Sequence, residues 1–326
     1  MQIFKDNDIE DAFKAQGYVV YGNIDEKAIN TLKDIDKQLG IPDFVGCDFN
    51  VGMNSDIYES RKLMQERIAA ILMPFFENIL VDFDFFSASF VNKNPTERFV
   101  ITAHQDFTYS DEPNEPSFMC WIPLINTNYE NGAIGFIPKS HLFYNYKRAF
   151  PFPLEYSPIV LNEIELMKYL DIQQMKAGQM VFFFNNTIHG SFANYSKNIR
   201  QAINISFIKK NANMFIYITD PNSVEKKLLK YKADKNFLIK YNNPYIQEMY
   251  KNKDIKILDY QFVGKEYFGE YQTSWVSIHK KLKEHNIQIQ QQNIRYLNRF
   301  VRVLKKEKIK DSVYSLLKNI LPILRK

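Results

Sequence analysis

The amino-acid sequence predicts a mainly β protein, a sandwich or barrel of the jelly-roll kind, with helices before it and a helical segment after it. Three observations carry this. Helical periodicity opens the chain and returns only near its end. Between about residues 81 and 210 the texture is short β-prone runs broken by turn residues. Beyond about residue 212 the chain becomes polar, Tyr-rich and increasingly helical. Two regions follow: 1–212, with N-terminal helices and the jelly-roll core, and 213–326, a mostly helical, basic appendage.

The elements take their order from the pattern. Asn7 or Asp8 caps a short helix that runs through Phe13 and ends at Gln16-Gly17, and Tyr18 to Tyr21 is β-prone. Asp25 precedes Ala28, Ile29, Leu32, Ile35 and Leu39, spaced near 3.6. A further helix covers Asp56 to about Ile79, with Leu63, Ile68, Ile71 and Leu72 toward the core. Strands are expected at Val81–Val91, Phe99–Tyr109, Ser117–Ile125, Ala133–Ile137, Met180–Phe184 and Arg200–Ile208, with turns at Asn92–Pro95 and Asn131-Gly132. Residues 142–175 are irregular, and Phe150-Pro151-Phe152-Pro153 argues against a strand there. Near the end, Ile294, Leu297, Phe300, Val301 and Leu304 lie at helical spacing, as do Val313, Leu316, Leu317 and Ile320.

Composition narrows the class. With 45% hydrophobic and 24% charged residues over 326, the chain reads as an ordinary globular protein. Cys47 and Cys120 are far apart and suggest neither a disulfide framework nor a zinc ribbon. The N-terminus is charged too early for a signal peptide, and no run reaches the ~18 apolar residues of a membrane span, so a cytoplasmic location is expected. The net charge of +5 sits in residues 299–326, where nine Lys and Arg face only Glu307 and Asp311. No aromatic–basic motif accompanies them, which excludes nucleic acid as the expected partner. Two readings of these basic helices stand. They pack on the barrel as a solvated face, or they make a peripheral contact at the inner face of a membrane, near a lipid-linked substrate.

His104 and Asp106 are two apart, so on a strand both side chains leave one face. An imidazole and a carboxylate converging in this way are two thirds of a facial triad, which a distant histidine would complete. A His-x-Asp pair is common by chance, and a hydrogen-bonded core histidine explains His104 equally simply. His189 follows the aromatic strand Val181–Phe184, and Arg200 opens the next strand eleven positions on. Alternation there puts Arg200, Ala202, Asn204 and Ser206 on one face. A polar face led by arginine suits an aqueous pocket that grips a carboxylate through two parallel hydrogen bonds.

In these residues the chain resembles the phytanoyl-CoA dioxygenase family of iron(II)/2-oxoglutarate-dependent oxygenases. The resemblance runs from Phe13–Val20 to about residue 210. It includes His104-Gln105-Asp106, Trp121-Ile122-Pro123-Leu124, Glu130-Asn131-Gly132-Ala133, Ile137-Pro138-Lys139-Ser140-His141, Ala177–Phe183 and His189-Gly190-Ser191. It implies a double-stranded β-helix with His104, Asp106 and His189 on Fe(II). Arg200 would hold the far carboxylate of the cosubstrate 2-oxoglutarate, with Ser191 as a second contact, and O2 would be the oxidant. Trp121 falls where the family lines the cosubstrate pocket, and core packing explains it as well. His141 looks structural. Lys139 departs from the family's usual glycine. Family members that halogenate lack the carboxylate, so Asp106 implies hydroxylation of a small-molecule, sugar or lipid-linked substrate. The rival expectations are a non-catalytic binding protein on the same barrel and a zinc hydrolase using the same three ligands.

Overall fold

The computed structural model describes residues 2–39, 48–112, 114–144, 146–150, 159, 162–268 and 274–306. Cys47, Pro151 to Pro153 and everything after Lys306, including the expected stripe Val313 to Ile320, lie outside them. The chain begins with α1 (Asn7–Gln16), β1 (Tyr18–Asn23), α2 (Glu26–Leu39), β2 (Phe49–Val51) and α3 (Tyr58–Ile79). Strands β3 (Phe83–Lys93), β4 (Ile101–His104), β5 (Phe118–Pro123) and β6 (Ile134–Phe136) follow. After α4 (Glu163–Leu166) come β7 (Asp171–Ile172), β8 (Gln179–Phe184), β9 (His189–Ser191) and β10 (Ala202–Lys209). The remainder holds β11 (Met214–Thr219), β12 (Lys227–Ala233), α5 (Phe237–Lys240), α6 (Asn243–Lys251), β13 (Phe262–Tyr267), α7 (Trp275–Glu284) and α8 (Gln291–Lys306).

Two antiparallel sheets form the jelly roll, one ordered β1-β8-β5-β10-β3-β2 and the other β4-β9-β6-β7. The N-terminal helices α1 to α3 pack against the larger sheet. Asp6, rather than Asn7 or Asp8, caps α1, its carboxylate accepting from the Asp8 and Ile9 amides. Gly17 ends the helix at φ +84°, where an added Cβ would stand 2.3 Å from His141 Nδ1. Along α3 the buried stripe is Arg61, Met64, Gln65, Ile68, Ala69, Leu72 and Phe76. Leu63 lies one position off it and is exposed, because a helix turns each residue by about 100° from the last. Edge-to-face aromatic rings tie this layer to the sheet: Phe4 lies 5.1 Å from Phe182, and Phe76 lies 4.8 Å from Phe207.

The segment after residue 212 carries three strands that its polar, Tyr-rich sequence did not reveal. β11, β12 and β13 form their own antiparallel sheet. Met214, Ile216, Ile218, Leu229 and Tyr231 from it join the hydrophobic cluster of the barrel, so the two regions share one core. The Lys side chains between them hide the alternation. Lys230, for example, pairs with Glu266 and lies over the Phe215 ring.

Helix α8 settles against the barrel through Tyr296, Leu297, Phe300, Val301 and Leu304, all buried. Its apolar face is thus occupied by protein over residues 291–304. Among the described residues no helix is long and apolar enough to cross a membrane. The anchor is Asn293, fully buried, whose Nδ2 donates to the carbonyls of Met167 (3.0 Å) and Leu170 (2.7 Å) while its Oδ1 accepts from Tyr129 (3.1 Å). Asn293→Ala takes this partner from the Leu170 carbonyl and the Tyr129 hydroxyl, and leaves the Met167 carbonyl only the Leu170 amide. We expect it to destabilise the protein by about 2–3 kcal/mol, read as a lower urea midpoint at constant slope. A midpoint unchanged from the wild type would mean that α8 is not held there.

Candidate metal centre and its pocket

β4 and β9 pair antiparallel with His104 opposite His189. The pairing is tight at Gly190, where a Cβ would come within 2.7 Å of the Ile101 carbonyl oxygen. Each imidazole is oriented by its own strand: Nδ1 of His104 donates to the Thr102 carbonyl (2.8 Å) and Nδ1 of His189 to that of Thr187 (2.9 Å). Both Nε2 lone pairs are therefore left free. Burial pushes the His189 pKa down to about 4, so the ring is neutral, the form that ligates a metal.

Asp106 does not sit on the strand as the spacing suggested. β4 ends at His104, and Asp106 lies in the segment beyond it, its amide donating to the Asn185 carbonyl (2.8 Å). Its own carbonyl accepts from the buried Arg148 guanidinium, which also bonds the Tyr146 carbonyl (3.0 Å) and pairs with Glu112. The carboxylate is brought to 3.7 Å from His104 Nε2 and 3.5 Å from His189 Nε2. One ligand atom from each of the three lies within 4.8 Å of the others, close enough to hold one metal ion.

The cluster opens into a cavity of about 260 Å³ between the two sheets. At one end lies Arg200, 2% exposed, its guanidinium 5.2 Å from the Trp121 ring centre and 5.9 Å from that of Phe49. Its Nε is buried without a hydrogen-bond partner, and burial lowers its pKa to about 9, still charged at neutral pH. Ser191 and Trp121 line the same cavity.

Sequence reading missed Lys93, which had been placed in the Asn92–Pro95 turn. It is the last residue of β3 and fully buried, and its backbone exchanges hydrogen bonds of 2.9 and 3.0 Å with Arg200. Its Nζ donates to Ser191 Oγ (2.7 Å), to the Ser191 carbonyl (3.3 Å) and to the Phe192 carbonyl. Burial, then the neighbouring Arg200 charge, pushes its pKa well down. The signal was present, since Ser87, Ser89, Val91 and Lys93 share one face at a spacing of two. Since the amine donates to Ser191 Oγ, the Ser191 hydroxyl keeps its own proton to give elsewhere.

The rest of the wall comes from Met53 and Asn54, from Phe107 stacked on Phe150 at 3.6 Å, and from Leu238 and Asn243 around α5 and α6. His141 is not in the cavity. Its Nε2 bonds the Lys14 carbonyl (3.0 Å), its ring stacks on Phe184, and burial lowers its pKa to about 4. Lys139 adopts φ +61°, the left-handed conformation in which the family's glycine would be at ease.

No curated protein sequence matches this chain. Among solved structures, similarity extends to the epimerase SnoN in complex with Fe3+, alpha ketoglutarate and nogalamycin RO (20% identity, 64% of this chain, 85% of that one, TM-score 0.44). It extends likewise to the carbocyclase SnoK from nogalamycin biosynthesis (18%, 64%, 86%, 0.45). A third is HygX from Streptomyces hygroscopicus with nickel, 2-oxoglutarate and hygromycin B bound (12%, 63%, 88%, 0.45). The family model described as phytanoyl-CoA dioxygenase (PhyH) matches residues 6–202, more than half of the sequence. With its jelly-roll core and its His104, Asp106 and His189 cluster, the chain belongs to the phytanoyl-CoA dioxygenase family.

Proposed function

We propose that this protein is an iron(II)- and 2-oxoglutarate-dependent oxygenase that hydroxylates a small molecule. In this reading His104, Asp106 and His189 hold the metal, and Arg200 and Ser191 bind the far carboxylate of 2-oxoglutarate beside Trp121. One observation carries the reading: a two-histidine, one-carboxylate cluster shares a cavity with a buried arginine whose Nε has no partner. The donor set fits the metal, because two imidazoles and one carboxylate would hold iron(II) and leave room beside it for cosubstrate and O2. The unpaired guanidinium fits a dicarboxylate.

Iron(II) with 2-oxoglutarate and O2 supplies the oxidation: R–H, 2-oxoglutarate and O2 yield R–OH, succinate and CO2. The chain supplies orientation and dryness. Thr102 and Thr187 fix the two imidazoles, and Arg148 and Asn185 fix the Asp106 backbone. Phe183, Ile134 and Val91 keep that part of the cavity apolar. The retained Asp106 favours hydroxylation over halogenation. A zinc hydrolase or a non-catalytic barrel would leave the buried Arg200 guanidinium facing no anion. Oxygen uptake and succinate release that require both added iron(II) and 2-oxoglutarate are the expected result. Equal turnover with zinc alone would sink the reading.

Lys93 sharpens the test. Lys93→Met removes the donor that aims the Ser191 hydroxyl, and 2-oxoglutarate affinity is expected to fall roughly 10-fold, the scale of one charge-assisted hydrogen bond. Affinity for pyruvate, which lacks the far carboxylate, should stay within about twofold of wild type, a split that simple misfolding would not give. Titration of the metal-loaded protein followed by tryptophan fluorescence reads both.

A further inference from the structure

The ionisable side chains that line the cavity, apart from Tyr109, are His104, Asp106, His189 and Arg200, the groups already assigned to metal and cosubstrate. Everything else that faces it among the described residues is apolar or neutral and polar. Every Lys and Arg outside the described residues falls in 307–326. Among the described residues, a phosphate, carboxylate or sulfate entering beside the cosubstrate would therefore meet no free cation, and the only carboxylate that an ammonium would meet belongs to the metal cluster. An unpaired charge is costly in a partly buried site.

The neutral polar groups are arranged. On the larger sheet Asn204 lies opposite Ser89, and Ser206 lies opposite Ser87, giving two polar pairs on the inner face. The Ser89 hydroxyl is engaged, accepting from the Met53 amide (3.0 Å) and donating to the Phe90 carbonyl (2.9 Å). Asn204 is not: its Oδ1 is buried with no hydrogen-bond partner. A ligand hydroxyl or N–H would satisfy it. Asn54 and Asn243 bring two more carboxamides to the lining, and Phe107 stacked on Phe150 adds an aromatic face.

Part of this wall lies outside the family match, which ends at residue 202. Leu238 and Asn243 come from the segment after the barrel, and that segment is clamped. The Arg61 guanidinium donates to the Ile239 carbonyl from Nε (2.8 Å) and from a terminal nitrogen (2.6 Å), and Asn242 Nδ2 donates to the Ser55 carbonyl (3.0 Å). The wall is thus held to α3 and to the Met53–Ser55 turn.

Building on the oxygenase reading, we infer that the substrate is an uncharged small molecule bearing hydroxyl or amide groups, gripped by Asn204 and selected by the Leu238–Asn243 wall. A coenzyme A thioester, a phosphonate or a zwitterionic amino acid does not match this charge inventory.

The test needs no substrate name. Binding of 2-oxoglutarate to the metal-loaded full chain is measured first, and its absence would defeat the oxygenase reading itself. A small-metabolite extract of the source cells is then divided into material retained by an anion exchanger, material retained by a cation exchanger, and material retained by neither. The unretained fraction is expected to raise succinate formation at least tenfold. With 2-oxoglutarate binding intact, stimulation from a retained fraction, or from none, overturns the inference. Asn204→Leu is expected to lower the ratio of stimulated to unstimulated turnover at least tenfold, and an unchanged ratio overturns the role given to Asn204.

Discussion

Replacing His104 with alanine is expected to reduce substrate-dependent succinate formation to the level seen without enzyme. The loss should be roughly 10³-fold or more, about 4 kcal/mol of transition-state stabilisation. The fold should survive, because the His104 side chain is partly exposed and its hydrogen bond is to the Thr102 carbonyl of its own strand. Metal content and thermal midpoint, measured together, separate the two effects. A midpoint within a few degrees of wild type with metal lost is the expected pair. Undiminished turnover in the alanine variant would remove His104 from the centre.

Arg200→Met should move two quantities in opposite directions. Affinity for 2-oxoglutarate is expected to fall by about 3–4 kcal/mol, roughly 10²–10³-fold, since a paired set of charge-assisted hydrogen bonds disappears. Stability of the ligand-free protein is expected to rise, because a buried cation without an anion is replaced by an apolar chain of similar length. Calorimetric titration and thermal unfolding of the same preparation check both. Weaker binding with a lowered midpoint would mean that Arg200 holds the barrel together rather than a carboxylate.

Much of this site was legible in the sequence because its chemistry uses rare residues in order. Histidines are few, so His104 and His189 stood out, and Arg200 was singled out although it lies two residues before β10, in an isolated bridge with Lys93. Strand geometry was a weaker guide. Asp106 reaches the cluster from an irregular segment whose path depends on Arg148, some forty residues away in sequence. Lys93 was hidden for the opposite reason: lysine beside Asn92, Asn94 and Pro95 reads as a solvated turn, and only the partner strand shows it buried. The sheet of β11 to β13 escaped because lysines break up β12 and Lys265 and Glu266 sit in β13, so local alternation is faint while the burial is tertiary. Asn204 was placed on the right face, but its unpaired oxygen becomes visible only when its neighbours are in position.

The clamp between Arg61 and Ile239, together with the pairing of β1 with β8, has a consequence for how the polypeptide is made. Tyr18 has no strand partner until Phe183 is synthesised, and Arg61 has no carbonyl to bind until Ile239 follows. At ~5–20 residues per second, roughly 10–35 s pass between the emergence of Arg61 and that of its acceptor. For the first part of that interval Phe4 and Phe76 lack the sheet rings Phe182 and Phe207 that they pack against. Pairs distant in sequence dominate the fold, so the wall that Ile239 helps to fix closes only in the last third of the chain.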